Sequence, residues 1–447
     1  MSKLPRILAT ASFLAAFLAV GAAAWDFGGS LDSASTAEQT DALALDEEAT
    51  LAGWVRTRLG TSLELYARGS YTYTIDRPLL LDLDAAWLKG EWDKATGPTL
   101  LELTVGRFRA ADFTKLVLNH TVDGVEAAFT YPNAVFRATT GFTGLIQKPV
   151  SDIVISRTDA SDLDRASVVF APPRLVGSFG VEVSDVLGGH SLRLAMLFQE
   201  DLRLDDDNVL EPGEETLDPT RGGRLSTQYL GAGLGGPLGG GLYYDLFAFG
   251  GTGQMLSYVE DSASGSGSSY QYEPIVGVLA GAGVRYFAKP MSSVFGLRAV
   301  YASGDKDFQS PVEGNRDGWA LAFVPISQSD RALVFSPQLG NLLMGEASFS
   351  VKPFEGMGIA ALADLQVMLK ALAFARPTTG PVSEGGLDPA SDAMYLGTEV
   401  DLTINYRPFS DLGIAINGGV FLPSGDAFVA DRADPEFLVG LLVSLSF

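Results

Sequence analysis

From about residue 63 onward, apolar and polar positions alternate in short runs. Leu63, Leu65, Ala67, Gly69, Tyr71 and Tyr73 alternate with Glu64, Tyr66, Arg68, Ser70, Thr72 and Thr74. Leu192, Leu194, Met196 and Phe198 alternate with Arg193, Ala195, Leu197 and Gln199. Ile359 to Leu369 carries Asp364, Gln366 and Lys370 on its second face, and Val400, Leu402, Ile404 and Tyr406 alternate with Glu399, Asp401, Thr403, Asn405 and Arg407. The chain closes on Phe437, Val439, Leu441, Val443, Leu445 and Phe447, with Glu436, Gly440, Ser444 and Ser446 between them. Successive strand side chains point to opposite faces, so each run reads as a strand greasy on one side. A helix there would scatter its charges round its whole surface. Runs of about 10 residues, apolar towards lipid and polar towards a lumen, are the signature of a transmembrane β-barrel.

The connections support this reading independently. Short ones are Tyr131-Pro132-Asn133, Gly188-Gly189, Lys289-Pro290-Met291, Phe354-Glu355-Gly356 and Phe409-Ser410-Asp411. Long ones cover roughly 146–172, 204–223, 257–271, 303–338, 371–393 and 424–435. Such barrels have short periplasmic turns and long extracellular loops. Counting back from Phe447 in the periplasm places each long connection outside and gives about 16 strands. Leu51 to Leu59 and the stretch 303–338, where Trp319 to Ile326 is apolar, could supply two more. The expected fold is therefore all-β: an antiparallel up-and-down transmembrane barrel of about 16–18 strands over residues 51–447.

The N-terminus adds a compartment. Lys3 and Arg6 precede an apolar run from Ile7 to Val20, and Ala22-Ala23-Ala24 offers small residues for cleavage. Residues 1–24 read as a secretory signal, and residues 25–50 as a periplasmic lead of low order. No later segment gives about 18 uninterrupted apolar residues, so a second helical span is not expected. The chain contains no cysteine, which excludes disulfides and thiolate metal sites. Its stability must come from backbone pairing and burial. Hydrophobic residues make up 47% and charged ones only 19%, with 51 glycines, a composition suited to strands and turns. Removing Lys3 and Arg6 takes the formal charge from −23 to −25. That balance argues against nucleic acid as a partner. The expected location is the bacterial outer membrane, crossed many times, with its lipid as the immediate partner. The strand ending in Phe447 is expected to be read by the barrel-assembly machinery.

A barrel of this size leaves room for an aqueous channel, and its inward side chains set selectivity. Strand parity places Glu64, Asp82, Asp84, Glu102, Glu126, Glu182, Asp201, Asp245, Glu346, Asp364, Glu399 and Asp401 inward. It also turns Arg68, Arg137, Arg193, Arg203, Arg285, Arg298, Lys352, Lys370 and Arg407 inward. A lattice of ion pairs that stiffens the wall and a charge-lined path for polar solutes both follow from such a set. A single bulge would invert the parity of the residues beyond it.

Other motifs carry less. Asp205-Asp206-Asp207-Asn208, with Glu211, Glu214, Glu215 and Asp218, offers oxygens for Ca²⁺ but not the EF-hand spacing. A solvated loop explains it better, and no metal or cofactor is expected. Gly231 to Gly241 lacks the strand-then-helix setting of a phosphate loop. His120 and His190 are the only histidines, and no Gly-x-Ser-x-Gly elbow occurs, so a hydrolase is not expected.

Two stretches go beyond a generic barrel. Met394-Tyr395-Leu396-Gly397-Thr398-Glu399-Val400-Asp401-Leu402, then Tyr406 to Leu412 and Gly418-Gly419-Val420-Phe421-Leu422-Pro423, resembles the C-terminal part of alginate-export-type outer-membrane porins. Val105-Gly106-Arg107-Phe108, followed by Asn119 to Val125 with its Asp123-Gly124-Val125, is similar to that family's Gly-Arg strand and Asp-Gly-Val strand start. The resemblance implies an 18-stranded monomeric barrel passing a sugar polymer or small polar solutes, with an arginine-lined pore. This chain departs from that lining, since more acids than bases are expected inward. The function expected is a porin passing polar solutes or oligo- and polysaccharide. An adhesin or structural barrel working through its long loops is the alternative. A transporter of hydrophobic substrates would need an apolar lumen and an N-terminal plug.

Overall fold

A computed structural model of the chain describes residues 25–39, 43–75, 80–93, 99–154, 159, 165, 167–203, 209–218, 221–307 and 318–447. The expected signal segment and Asp205 to Asn208 lie outside these residues. The strands are β1 (Trp25–Gln39), β2 (Leu43–Leu59), β3 (Leu63–Thr74), β4 (Leu80–Asp93), β5 (Leu100–Ala111) and β6 (Asn119–Thr130). They continue as β7 (Ala134–Phe142), β8 (Arg174–Val186), β9 (His190–Asp201), β10 (Ser226–Gly239), β11 (Leu242–Glu260) and β12 (Ser268–Ala288). The last six are β13 (Ser293–Ala302), β14 (Leu342–Val351), β15 (Gln366–Ala375), β16 (Tyr395–Phe409), β17 (Leu412–Pro423) and β18 (Glu436–Ser446). Each pairs antiparallel with its neighbours in sequence, and β1 pairs with both β2 and β18, closing one 18-stranded sheet. At the seam Gly29 donates to Phe447 O at 2.8 Å and Phe447 donates to Gly29 O at 3.0 Å. Closure leaves no edge strand unpaired, which lipid demands. No helix among the described residues is long and apolar enough to cross a membrane.

The outer wall follows the alternation. Leu194 and Met196 of β9, Val400 and Leu402 of β16, and Val439 and Leu441 of β18 are all exposed, as side chains facing lipid should be. Near the end that carries both termini, Tyr286, Phe295 and Phe349 stack in series at 6.4 and 4.6 Å across β12, β13 and β14. Aromatic girdles of this sort mark a membrane interface.

Three expectations need correction. Residues 25–50 are not a loose lead: they form β1 and the start of β2. The outward positions of β1 carry Trp25, Phe27 and Leu31 and then only Ser33, Ser35 and Ala37, so the hydrophobic period fades halfway along the strand. Backbone pairing on both sides holds the rest of the strand without it. Leu51 to Leu59 belongs to a strand as expected, but Trp319 to Ile326 does not. Most of that apolar stretch packs into the interior, with Ala320, Ala322, Phe323, Val324 and Ile326 hardly exposed, while Trp319 and Leu321 stay exposed. Lipid and a packed interior select the same residue types. Finally, Ile359 to Leu365 is a turn with a 3-10 segment at Ala360–Leu362. Gly356 and Gly358, at φ 78° and 74°, allow the chain to fold back there.

Deleting residues 25–39 should leave β2 and β18 with open edges. The variant should lose the fast-migrating, heat-modifiable band on gels that the full barrel gives. A band of unchanged mobility would show that β1 is dispensable for closure.

Candidate functional site

The lumen is not an open bore, because three connections at the loop-bearing end fold into it. Residues 112–118 are wound around Asp112. Its Oδ1 accepts the Thr114 N–H at 2.6 Å and hydroxyl at 2.5 Å; its Oδ2 accepts the N–H groups of Val117 and Leu118 at 2.9 and 2.8 Å. This turn buries Leu116, Val117 and Leu118 and stacks Phe113 on Phe249 at 5.1 Å.

The connection after β13 is held by Glu399. Its carboxylate, fully buried, accepts the N–H groups of Leu333, Val334 and Phe335 at 2.9, 2.8 and 2.8 Å. Loop N–H groups turned into the interior need acceptors, and a strand carboxylate supplies them. Phe335 is thereby set among Phe374, Phe421 and Phe428, at 5.1, 4.3 and 6.1 Å. The third connection, 143–173, is tied at its root by a buried cluster: Arg174 pairs with Asp159 at 2.6 Å and with Asp201, and Arg203 pairs with Asp159. The loops also join each other. Ile326 donates to Val117 O at 2.9 Å, Val154 to Ile326 O at 3.0 Å and Gln328 to Asp152 O at 2.7 Å.

Together they build one buried apolar cluster that reaches from Phe108 on β5 to Phe421 on β17. Among the described residues it takes no member from β1–β4 or β18; only the partly buried Trp87 of β4 packs against it. The filled part of the lumen is therefore one-sided.

Below Phe113 runs a row of alternating charge. Glu182 on β8 lies opposite Arg193 on β9. Arg193 sits 5.4 Å over the Phe113 ring and reaches across Gly235, where a Cβ would come within 3.1 Å of its Nη2. Asp245 on β11 lies likewise over Gly283, within 2.7 Å of the position a Cβ would take. Arg298 on β13 lies opposite Glu346 on β14, and Lys370 on β15 opposite Asp401 on β16. The missing side chains at Gly235 and Gly283 let long charged groups lie along the wall. Phe113, Arg193, Asp245, Arg285, Arg298 and Glu346 line a cavity of about 350 Å³. On the other side of Phe113, Arg137, Glu182 and Arg193 share a second cavity of about 360 Å³. The loop contributes Arg331, which burial and the nearby Arg298 guanidinium push down to about 10, so it stays charged at neutral pH.

The remaining candidates pair locally. Glu64 bonds Arg56 at 2.7 Å, Arg68 bonds Asp84 at 2.9 Å, and Glu102 bonds Lys89 at 2.5 Å. Arg137 stands 3.7 Å from Glu126, which also accepts the Thr139 hydroxyl at 3.0 Å. Asp82 lies 3.8 Å from Arg107. Six candidates do not line the path. Glu399 is fully buried and its carboxylate is taken up by the Leu333–Phe335 amides. Asp201 and Arg203 are sequestered in the Arg174 cluster, and Lys352 and Asp364 pair at 3.2 Å in the turn between β14 and β15. Arg407 lies where β16 loses register between Tyr406 and Phe409, and donates to Ser410 O at 3.0 Å. A turn in one case and a bulge in the other broke the assumed parity.

Sequence reading missed Asp112, Phe113 and the 112–118 loop. An aspartate two residues before a threonine is an Asx-turn signal and could have found it. In the sequence Arg107 stands out only as part of the Gly-Arg motif, with no structural role. That side chain grips Asp123 at 2.9 and 2.8 Å and the carbonyls of Leu83 and Leu145 at 3.0 and 2.8 Å, joining β4, β5, β6 and the third loop.

The alginate export family model matches residues 204–435. The chain belongs to the alginate export family. The match contains Glu399, Asp401 and the whole 303–341 loop, and it covers the stretch Met394 to Pro423 that carries the sequence likeness. The Gly106-Arg107 and Asp123-Gly124 motifs lie outside it. No curated protein sequence matches the chain. Among solved structures it resembles Pseudomonas aeruginosa OccK8 (OprE), at 12% identity and TM-score 0.58, over 95% of this chain and 98% of that one. P. aeruginosa OccK9 (OpdG) is similar at 11% identity and TM-score 0.58, with the same coverage. OpdK from that organism, solved with vanillate, follows at 13% and 0.56, over 95% and 98%. At such identities the likeness shows the fold. This alginate export family member is thus a porin-type barrel of the bacterial outer membrane.

Replacing Glu399 by alanine should release the Leu333–Phe335 turn, since each buried N–H left unpaired costs about 1–3 kcal/mol. Single-channel conductance should rise and become noisier, while Glu399→Gln, which keeps the shape and one of the two acceptor oxygens, should change it less. An unchanged conductance in Glu399→Ala would mean the loop is held by its phenylalanines alone.

Proposed function

We propose that the protein is a diffusion channel that carries small polar solutes across the outer membrane. The observation that carries this reading is the row of alternating charge beside Phe113, set beneath loops pinned inside the barrel. Filled loops narrow the bore, which favours small solutes over a bulky polymer. The passage runs along the β1–β4 wall, where the buried cluster has no member and inward groups are ion-paired and partly exposed. Water-filled lumens raise local fields, so solutes with hydroxyl and charged groups gain most.

Selectivity follows from the balance of charge. Arg193, Arg285, Arg298, Arg331 and Lys370 face Glu182, Asp245, Glu346 and Asp401. Neither sign dominates, and an arginine-only lining suited to a polyanion is not present. Two similar P. aeruginosa proteins were solved with carboxylates, OpdK with vanillate and OccK2 (OpdF) with glucuronate. Small organic acids are therefore among the solutes to test. The adhesin alternative gains less support, because the loops commit their apolar side chains to the interior. For delivery to the membrane we propose that the assembly machinery reads β18, whose outward face ends in Leu445 and Phe447.

Purified protein in planar bilayers should conduct. In a tenfold salt gradient its reversal potential should fall well short of the roughly 59 mV of a fully selective pore. Arg298→Ser should shift that potential towards cations. No conductance at any voltage would overturn the channel reading, and strong anion selectivity would overturn the mixed lining.

A further inference from the structure

The wall left clear of loops carries an aromatic surface that the charge row does not use. Trp54 of β2, Tyr66 of β3 and Trp87 of β4 lie side by side, with centroids 6.3 and 5.2 Å apart and each ring within 23° of the next. They share the lumen face: Trp87 packs against the interior cluster, and Tyr66 lies opposite Trp87 in register. The Trp54 ring lies over Gly28 of β1, where a Cβ would come within 2.8 Å of it. The three rings overlap in series along the wall, each leaving part of its surface uncovered. All three side chains are partly exposed there.

The surroundings of this surface are polar but neutral in sum. Arg56 and Glu64 pair at 2.7 Å on the side towards the termini. On the loop side Arg68 pairs with Asp84 at 2.9 Å, and Ser70 donates to the same carboxylate at 2.6 Å. Arg58 shares Glu64 at 3.8 Å and Asp26 of β1 lies opposite Arg56, so two guanidinium groups meet two carboxylates on that side and no uncompensated positive charge waits for an anion.

We infer that Trp54, Tyr66 and Trp87 form a binding site for a neutral hexopyranose unit. A pyranose has an apolar face of C–H groups and a rim of hydroxyls. The face matches an aromatic surface, which buries area and offers a negative quadrupole to the C–H edges. The hydroxyls match paired guanidinium and carboxylate groups, which donate and accept hydrogen bonds without requiring charge on the ligand. Stacking is tolerant of ring identity, which suits brief binding along a path rather than tight capture. The inference rests on the channel reading for the solute's route, but binding itself is measured without current.

The test is calorimetric titration of the full barrel, folded in detergent, with maltotriose and separately with trigalacturonate. Maltotriose should bind saturably. Trp87→Ala and Trp54→Ala should weaken it about tenfold, Trp87→Phe should weaken it less, and Trp319→Phe should leave it unchanged. Heat-modifiable mobility shows which variants are folded. Absent maltotriose binding, equal binding in folded Trp87→Ala, or preference for trigalacturonate would each overturn the inference. If maltotriose binds but the protein never conducts, the site stands and the channel reading falls. If the protein conducts and maltotriose does not bind, the reverse holds.

Discussion

In lipid, no water is present to pair with backbone N–H and C=O groups, so every one must find a partner within the protein. The closed sheet is the answer to that constraint, and the rest of this structure follows from it. β1 is the clearest case. Its hydrophobic period fades after Leu31, yet it stays a strand to Gln39 because β2 and β18 would otherwise face lipid with open ladders. The exchange of hydrogen bonds between Gly29 and Phe447 is the last stitch of that closure.

The same constraint operates inside. Loops folded into the lumen bring amides away from solvent, and two strand-borne or strand-flanking carboxylates, Asp112 and Glu399, supply the acceptors. Charge at these positions is structural first. It holds the phenylalanines of the interior cluster in place, and these in turn leave one side of the lumen clear. The lumen's shape is thus set by buried side chains, while the alternating row from Glu182 to Glu346 borders the open cavities. Glycines at 235 and 283 connect the two roles, since they give long side chains room to lie along the wall.

Much of the architecture was legible from alternation alone. The outward faces of β9, β16 and β18, the short turns at 131–133 and 187–189, and the long loop-bearing end are where the pattern puts them. What alternation could not separate is apolar surface facing lipid from apolar surface facing a packed interior, so Trp319 to Ile326 read as a possible strand. Parity placed Arg193, Asp245, Arg298 and Glu346 beside the lumen cavity. It failed for Asp364 and Arg407, where a turn and a lost register interrupt the strand. Asp112 and Phe113 were invisible to it because a loop that enters a lumen has no period of its own.

The central claim is that loops fill one side of the lumen and leave a path along the β1–β4 wall. The chain contains no cysteine, so single cysteines can report on that path directly. A charged methanethiosulfonate reagent should modify cysteine at Ser70 on the clear wall and at Ser348 in the charge-lined cavity, and should change the current through the open channel. Cysteine at Ala302, fully buried in the cluster, should stay unmodified. Fast reaction at position 302 with none at position 70 would place the path on the opposite side and contradict the account.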